Sequence, residues 1–244
     1  MAMFRKPQSV EHSLYLPNVK PGTFQPKYGL PSSVEYCKSC VISNQRPNSS
    51  VEFKHSINSA KSTIHFDDQG VCDACNASKS KVSIDWEERE NQLRELCDKY
   101  RRDDGKYDCL VPGSGGKDSF MQAHLLKYKY GMHPLTCTWA PHIYTDWGWK
   151  NHQAWLHAGF DNILFTPNPK VHRLITRLAV ENIFHPFQPF ILGQKNLAPK
   201  IASRYDIPLV FYGENEAEYG NPVTDMGSAK RSWDYFSASN EDEI

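Results

Sequence analysis

The chain has no long apolar run. Nowhere in its 244 residues do about 18 apolar residues follow one another, which excludes a membrane-spanning helix, and no membrane partner is expected. Met1–Lys20 lacks the apolar stretch of a secretory signal, which implies a reducing, cytoplasmic setting. Net charge is lacking too: 28 Lys+Arg stand against 28 Asp+Glu. General nucleic-acid binders carry a basic excess, so nucleic acid is not an expected partner, although a local basic groove stays open. No internal repeat and no long low-complexity tract occurs. Disorder of the whole chain is excluded by 39% hydrophobic against 23% charged residues.

What is present begins with cysteine. There are seven, an odd number, and in a reducing compartment thiols stay free or bind metal. Four of them form two Cys-x-x-Cys knuckles, Cys37/Cys40 and Cys72/Cys75, with 31 residues between Cys40 and Cys72. Two such knuckles can aim four thiolates at one Zn²⁺ and close a tetrahedral site. Four protein ligands leave no open position, so the role expected is structural. A redox pair and an iron–sulfur cluster are the alternatives. Residues 1–82 are rich in Pro, Ser and Asn, show little helical periodicity, and bury too little apolar surface to order themselves unaided. A zinc-ribbon-like N-terminal region, 1–82, is therefore expected before a second domain, 83–244. Cys97 and Cys109 read as core residues, and Cys137 as a strand residue near a ligand rim.

Residues 83–244 alternate helix-like and strand-like stretches. Asp85 and Glu88 have capping-box spacing, with Trp86, Leu93, Leu96, Cys97 and Tyr100 on one helical face and Gly105 ending the helix. Strands are predicted at 107–111, 135–139, 163–166 and 208–212. Helices are predicted at 119–130, 147–158, 171–183 and 196–205. Such alternation predicts an α/β fold with an open parallel sheet. Ligands bind beyond the carboxyl ends of such strands, so the loops 112–119, 139–147, 166–170 and 213–221 should share one rim.

The most informative segment is Val111-Pro112-Gly113-Ser114-Gly115-Gly116-Lys117-Asp118-Ser119, between a predicted strand and a predicted helix. Glycines let the backbone approach a ligand closely, and the free N–H groups of a helix start attract an anion. A Walker-type loop requires Ser or Thr after the lysine, but Asp118 follows Lys117. A dinucleotide fingerprint requires a third glycine where Asp118 stands. What remains, Ser-Gly-Gly-Lys-Asp-Ser, resembles the PP-loop of the ATP pyrophosphatases. A ligand-free glycine turn is the bland alternative.

Beyond the loop, Trp139-Ala140-Pro141-His142-Ile143-Tyr144-Thr145-Asp146, His185-Pro186-Phe187-Gln188-Pro189-Phe190, Gly193-Gln194-Lys195-Asn196-Leu197-Ala198-Pro199-Lys200 and Gly213-Glu214-Asn215-Glu216-Ala217-Glu218-Tyr219-Gly220 resemble the N-acetyl sugar amidotransferase family. The resemblance runs from about Tyr36 to the end. It implies an adenine nucleotide alpha hydrolase-like sheet, whose C-terminal part is missing here because family members continue further. It also implies ATP and Mg²⁺ as cofactors beside Zn²⁺, and conversion of an acetamido sugar, free or nucleotide-linked, into an acetamidino sugar for bacterial O-antigen (lipopolysaccharide) or nonulosonic-acid biosynthesis. No Gly-x-Cys-x-Gly elbow is present. A glutaminase in trans is therefore implied as the ammonia source, with a cyclase-like subunit as a possible companion.

In this reading Ser114, Gly115, Gly116 and Ser119 bind pyrophosphate, Lys117 neutralises it, and Asp118 holds Mg²⁺ or caps the helix. Glu214 and Glu216, with Asn215 and Glu218, contact Mg²⁺ or substrate hydroxyls, a solvated acidic loop being the alternative. Lys195 reaches a phosphate or is a surface lysine. Trp139 stacks on adenine or a sugar, or is core. His142 and His185 are general-base candidates. Rival readings are a tRNA-modifying PP-loop enzyme, thiolase or lysidine-type ligase, and a non-enzymatic zinc-ribbon scaffold.

Overall fold

The computed structural model describes residues 29–46, 63–183 and 185–213. Its centre is a sheet of four parallel strands: β1 (Cys109–Pro112), β2 (Pro134–Trp139), β3 (Asp161–Phe165) and β4 (Leu209–Val210), in the order β3-β2-β1-β4. Leu110 lies opposite Leu135 on one side and Val210 on the other. The sheet is parallel because a helix separates each strand from the next. In chain order these are α3 (Lys117–His124), α4 (Asp146–His157), α5 (Pro169–Ile183) and α6 (Gln188–Tyr205), preceded by α1 (Asp73–Ser80) and α2 (Trp86–Tyr100). None of the described helices is long and apolar enough to cross a membrane.

Side chains alternate across β1 and divide the core into two layers. Cys109 and Val111 face Cys97 of α2, Ala123 of α3 and Trp155 of α4. Leu110 faces the other way with Leu135 and Cys137, onto Leu197, Ala198, Ile201 and Ala202 of α6. These strand residues are almost completely buried, as apolar strands covered on both faces must be. Burial pushes the thiols of Cys109 and Cys137 up to about 12 and raises that of Cys97, so all three are neutral.

Most predicted elements are present, with shifted boundaries. α2 is capped as expected, with the Asp85 carboxylate accepting the Glu88 N–H at 3.0 Å. The helix stops at Tyr100, before Gly105. Arg101 is extended, and the next N–H, that of Arg102, goes to the carboxylate of Asp108 at 2.7 Å. Asp108 is 1% exposed and also accepts the His133 N–H at 2.7 Å. One buried carboxylate thus ties the entries of β1 and β2 together and starts β1 at Cys109, two residues after its predicted beginning. The 119–130 helix divides into α3 and a wider turn, Leu125–Lys129, closed by Tyr130 N–H to Leu125 O at 3.0 Å.

Two differences are larger. α6 begins at Gln188 rather than 196, with Pro189 in its first turn, where a missing N–H costs nothing. Gly193 lies inside this helix, and the Trp139 indole fills the space a side chain would need; a Cβ there would meet the ring at 2.2 Å. α1 starts inside the second knuckle, with Cys72 at its N-cap and Cys75 within it, in a region read as having little helical periodicity. The predicted face of α2 is only partly buried, with Cys97 at 0% but Trp86 at 59% exposure. The stripe Val171, Leu174, Ile175 and Leu178 does form one face of α5, but all four are exposed.

Candidate functional site

A cavity of about 630 Å³ opens at the carboxyl ends of β1 and β2. Its floor is the turn from β1 into α3, with Gly113, Ser114, Gly116, Asp118 and Ser119 lining it. Its walls come from Cys137 and Trp139 of β2, the loop through Tyr144 and Thr145, Phe190, Gln194 and Lys195 of α6, and Tyr212 and Gly213 after β4. Two of the loops expected on the rim, 112–119 and 139–147, converge here, together with Gly213, the one described residue of the loop 213–221. Residues 166–170 do not line the cavity.

The turn is built around two glycines that nothing larger can replace. Gly115 has φ +83°, a left-handed conformation, and a Cβ there would lie 2.5 Å from the backbone oxygen of Asn151 in α4. At Gly113 a Cβ would fall 2.4 Å from the Ser119 side chain and 2.8 Å from the Trp155 ring. The loop therefore rests directly on α4. Gly116 is the N-cap of α3, and no side chain caps that helix. Its first-turn N–H groups need an acceptor at the end that carries the positive pole of the helix dipole. The Ser119 hydroxyl donates to Gly116 O at 3.3 Å. That contact holds the turn and leaves the helix N–H groups to another acceptor.

Charge at this mouth is limited to few groups. Asp118 is the only acid lining the cavity among the described residues. Its carboxylate oxygens accept from Lys117 Nζ at 2.6 and 2.8 Å, with the lysine side chain 87% exposed. Lys117 therefore stands outside the cavity and reaches it through Asp118. Tyr212 is 47% exposed as a residue, yet the enclosure of its hydroxyl raises that group to about 12, with the neighbouring Cys137 adding to the effect.

The second candidate centre is the set Cys37, Cys40, Cys72 and Cys75, whose four sulfurs lie within 4.8 Å of one another. Cys37 Sγ is 4.0 Å from Cys75 Sγ, and Cys40 Sγ is 3.7 Å from Cys72 Sγ. Tetrahedral thiolates at the usual zinc–sulfur length are about 3.8 Å apart, so the set fits a zinc ion. Ser39 and Cys72 each donate a backbone N–H to Cys37 Sγ at 3.3 Å. Burial pushes the Cys37 thiol up, but N–H groups from Cys72, Ser39 and Cys40 outweigh it and bring the pKa down to about 6. Cys72, more deeply enclosed, is raised by burial to about 12. One thiolate forms readily here, and a full set needs a cation. Among the described residues, Ile64 and Val71, with Ile42, Phe66 and Ala74 beside them, supply the apolar core around the cysteines.

No protein-family model matches the chain. A search of curated proteins finds an uncharacterized protein of Methanocaldococcus jannaschii, 31% identical over 75 residues, which are 31% of this chain and 27% of the relative. The chain thus spans about a quarter of that relative's length in the match.

Of the site residues named from the sequence, Ser114, Gly116, Asp118, Ser119, Trp139 and Lys195 line one cavity, and the four cysteines form one cluster. Gly115 shapes the loop from behind, and Lys117 stands outside. Glu214 and Glu216, with Asn215 and Glu218, lie outside the described residues. Trp139 borders the cavity, yet its ring is already stacked on Phe165, centroids 4.9 Å apart and tilted by 23°. His142 is exposed and sits beside His172, centroids 4.6 Å apart. The contributions of Tyr144, Gln194 and Phe190 were not assigned from the sequence. Phe190 stands in a quoted motif, but the helix it belongs to was predicted to begin only at 196.

Proposed function

We propose that this protein is an ATP-dependent amidotransferase of the PP-loop type that converts the acetamido group of an N-acetyl sugar into an acetamidino group. The observation that carries the reading is the cavity floor: Ser-Gly-Gly-Lys-Asp-Ser turning from β1 into an uncapped α3, with Gly115 held in a conformation only glycine adopts freely. Backbone N–H groups gathered at one point suit the β and γ phosphates of ATP. Gripping those two leaves the α-phosphorus as the electrophile.

The chemistry requires such an arrangement. An amide carbonyl is a poor electrophile and its oxygen a poor leaving group. Attack of that oxygen on the α-phosphorus forms an O–P bond and breaks the bond to pyrophosphate. Ammonia then adds to the imidate carbon, loses a proton, and expels AMP, giving the amidine. The loop donors offset charge on the departing pyrophosphate. Holding both substrates in line supplies much of the acceleration. Mg²⁺, when bound, would neutralise further phosphate charge, and Asp118 is the carboxylate placed to hold it. Lys195 in the cavity wall is placed to meet a phosphate. Zn²⁺ at the four cysteines would be structural. Ammonia would come from a glutaminase partner.

The test is incubation with ATP, ammonium and candidate acetamido sugars. The expected result is AMP, pyrophosphate and a sugar product one mass unit lighter. Binding of tRNA with steep salt dependence, and no sugar product, would favour the tRNA-modifying reading instead.

A further inference from the structure

Beside the cavity, where β2 and β3 end, stands a cluster of rings that the phosphate loop does not use. Trp139 and Phe190 line the cavity, so the cluster is continuous with it. The His142 ring lies 4.6 Å from His172, 5.6 Å from Phe190 and 6.3 Å from Phe187, and the Trp139 ring lies 6.3 Å from His172. This is no closed core: His142 is exposed, and Phe187 is 57% exposed.

The cluster also carries polar atoms without partners. Trp139 Nε1 and His172 Nε2 are buried and make no hydrogen bond, and neither does His185 Nδ1, two residues before Phe187. An indole N–H can only donate. Leaving such a group unpaired costs about 1–3 kcal/mol, a cost that Trp155 Nε1 and His152 Nδ1 in the closed core also carry. The Trp139 ring is wedged against Gly193 and cannot turn away without moving α6.

Ring geometry narrows the ligand. The planes meet at 40° to 50° rather than lying parallel. A flat base is clasped best between parallel faces. A tilted cup suits a puckered ring with one face of C–H bonds, which rests on the electron-rich faces of aromatic side chains.

We infer that the cluster of Trp139, His142, His172, Phe187 and Phe190 is the acceptor subsite and takes an acetamido pyranose, its C–H face on Phe187 and Phe190 and its acetamido group toward the phosphate loop. The ligand class rests on the proposed function; the location rests on exposed rings continuous with the cavity wall.

The test uses the full chain and saturation-transfer NMR with two probes, N-acetylglucosamine and UDP-N-acetylglucosamine, alongside calorimetric titration with ATP. Wild type should saturate the acetamido methyl and ring protons of at least one probe. Phe187→Ala and His142→Ala alter exposed side chains, so folding is not at stake. Each should weaken sugar binding about fivefold or more while ATP affinity stays unchanged, the loss expected for truncating a contact in a small site. Unchanged sugar binding in both variants would overturn the assignment. So would the absence of saturation by wild type, or a loss of ATP affinity in place of sugar affinity, which would mark an adenine site. Sugar binding without any ATP binding by wild type would instead refute the phosphate-loop reading and leave this subsite standing.

Discussion

The cysteine region and the sheet are held together by different means. In the sheet, strands such as Leu110 and Val111 are fully buried between two helical layers, and stability is spread over many apolar contacts. Around the cysteines only a handful of the described apolar residues are buried, and four sulfurs sit at a spacing that fits a single ion. We propose that a region whose described core is so small draws its folding energy from a metal held by these four sulfurs, whereas the sheet does not need one. Sequence motifs of equal clarity therefore do different jobs: one replaces a core, and the other is built on top of one.

The sharpest way to break this comparison is to take the metal away. Chelation, or Cys72→Ser, should abolish hydrogen-exchange protection throughout residues 29–46 and 63–80 and leave that of β1 and β2 intact. Equal loss in both regions would mean that they fold as one. Next in size is the phosphate loop. Gly115→Ala forces a Cβ to within 2.5 Å of Asn151 O, and Asp118→Ala removes the only described acid of the cavity. Each should lower ATP-dependent turnover by about 100-fold or more with the circular dichroism spectrum preserved. Full activity of Asp118→Ala would contradict its assignment.

Asp108→Ala should act on the sheet alone. It strands the N–H groups of Arg102 and His133 and should cost roughly 3 kcal/mol in urea unfolding, with zinc content unchanged. The smallest effect is expected at Lys117, whose pairing with Asp118 is exposed. Lys117→Met should change stability by less than about 1 kcal/mol, and any loss should fall on ATP affinity instead.

Much of the fold was legible because helix and strand periods alternate cleanly after Asp85. The parallel sheet, the rim and the loop followed from that alternation. Element boundaries were misread where a tertiary contact decides them. Asp108 delays β1 through bonds to the N–H groups of Arg102 and His133, and α6 starts at Gln188 across Gly193, whose missing side chain makes room for the Trp139 ring. The cysteine cluster was legible from spacing alone, since two knuckles converge whatever lies between them. The ring cluster beyond Trp139 was not, because His142, His172 and Phe187 come from three separate segments and meet only once α5 and α6 are placed. The carboxylates at Glu214 and Glu216 lie outside the described residues, so that part of the site rests on sequence alone.

The central claim is that the loop at 113–119 holds the β and γ phosphates of ATP, so that the bond broken lies at the α-phosphorus. Phosphorus NMR of a turnover mixture containing ATP, ammonium and an acetamido sugar tests it directly. The account predicts AMP and pyrophosphate appearing together with the amidine, in equal amounts. ADP and orthophosphate in their place would contradict it.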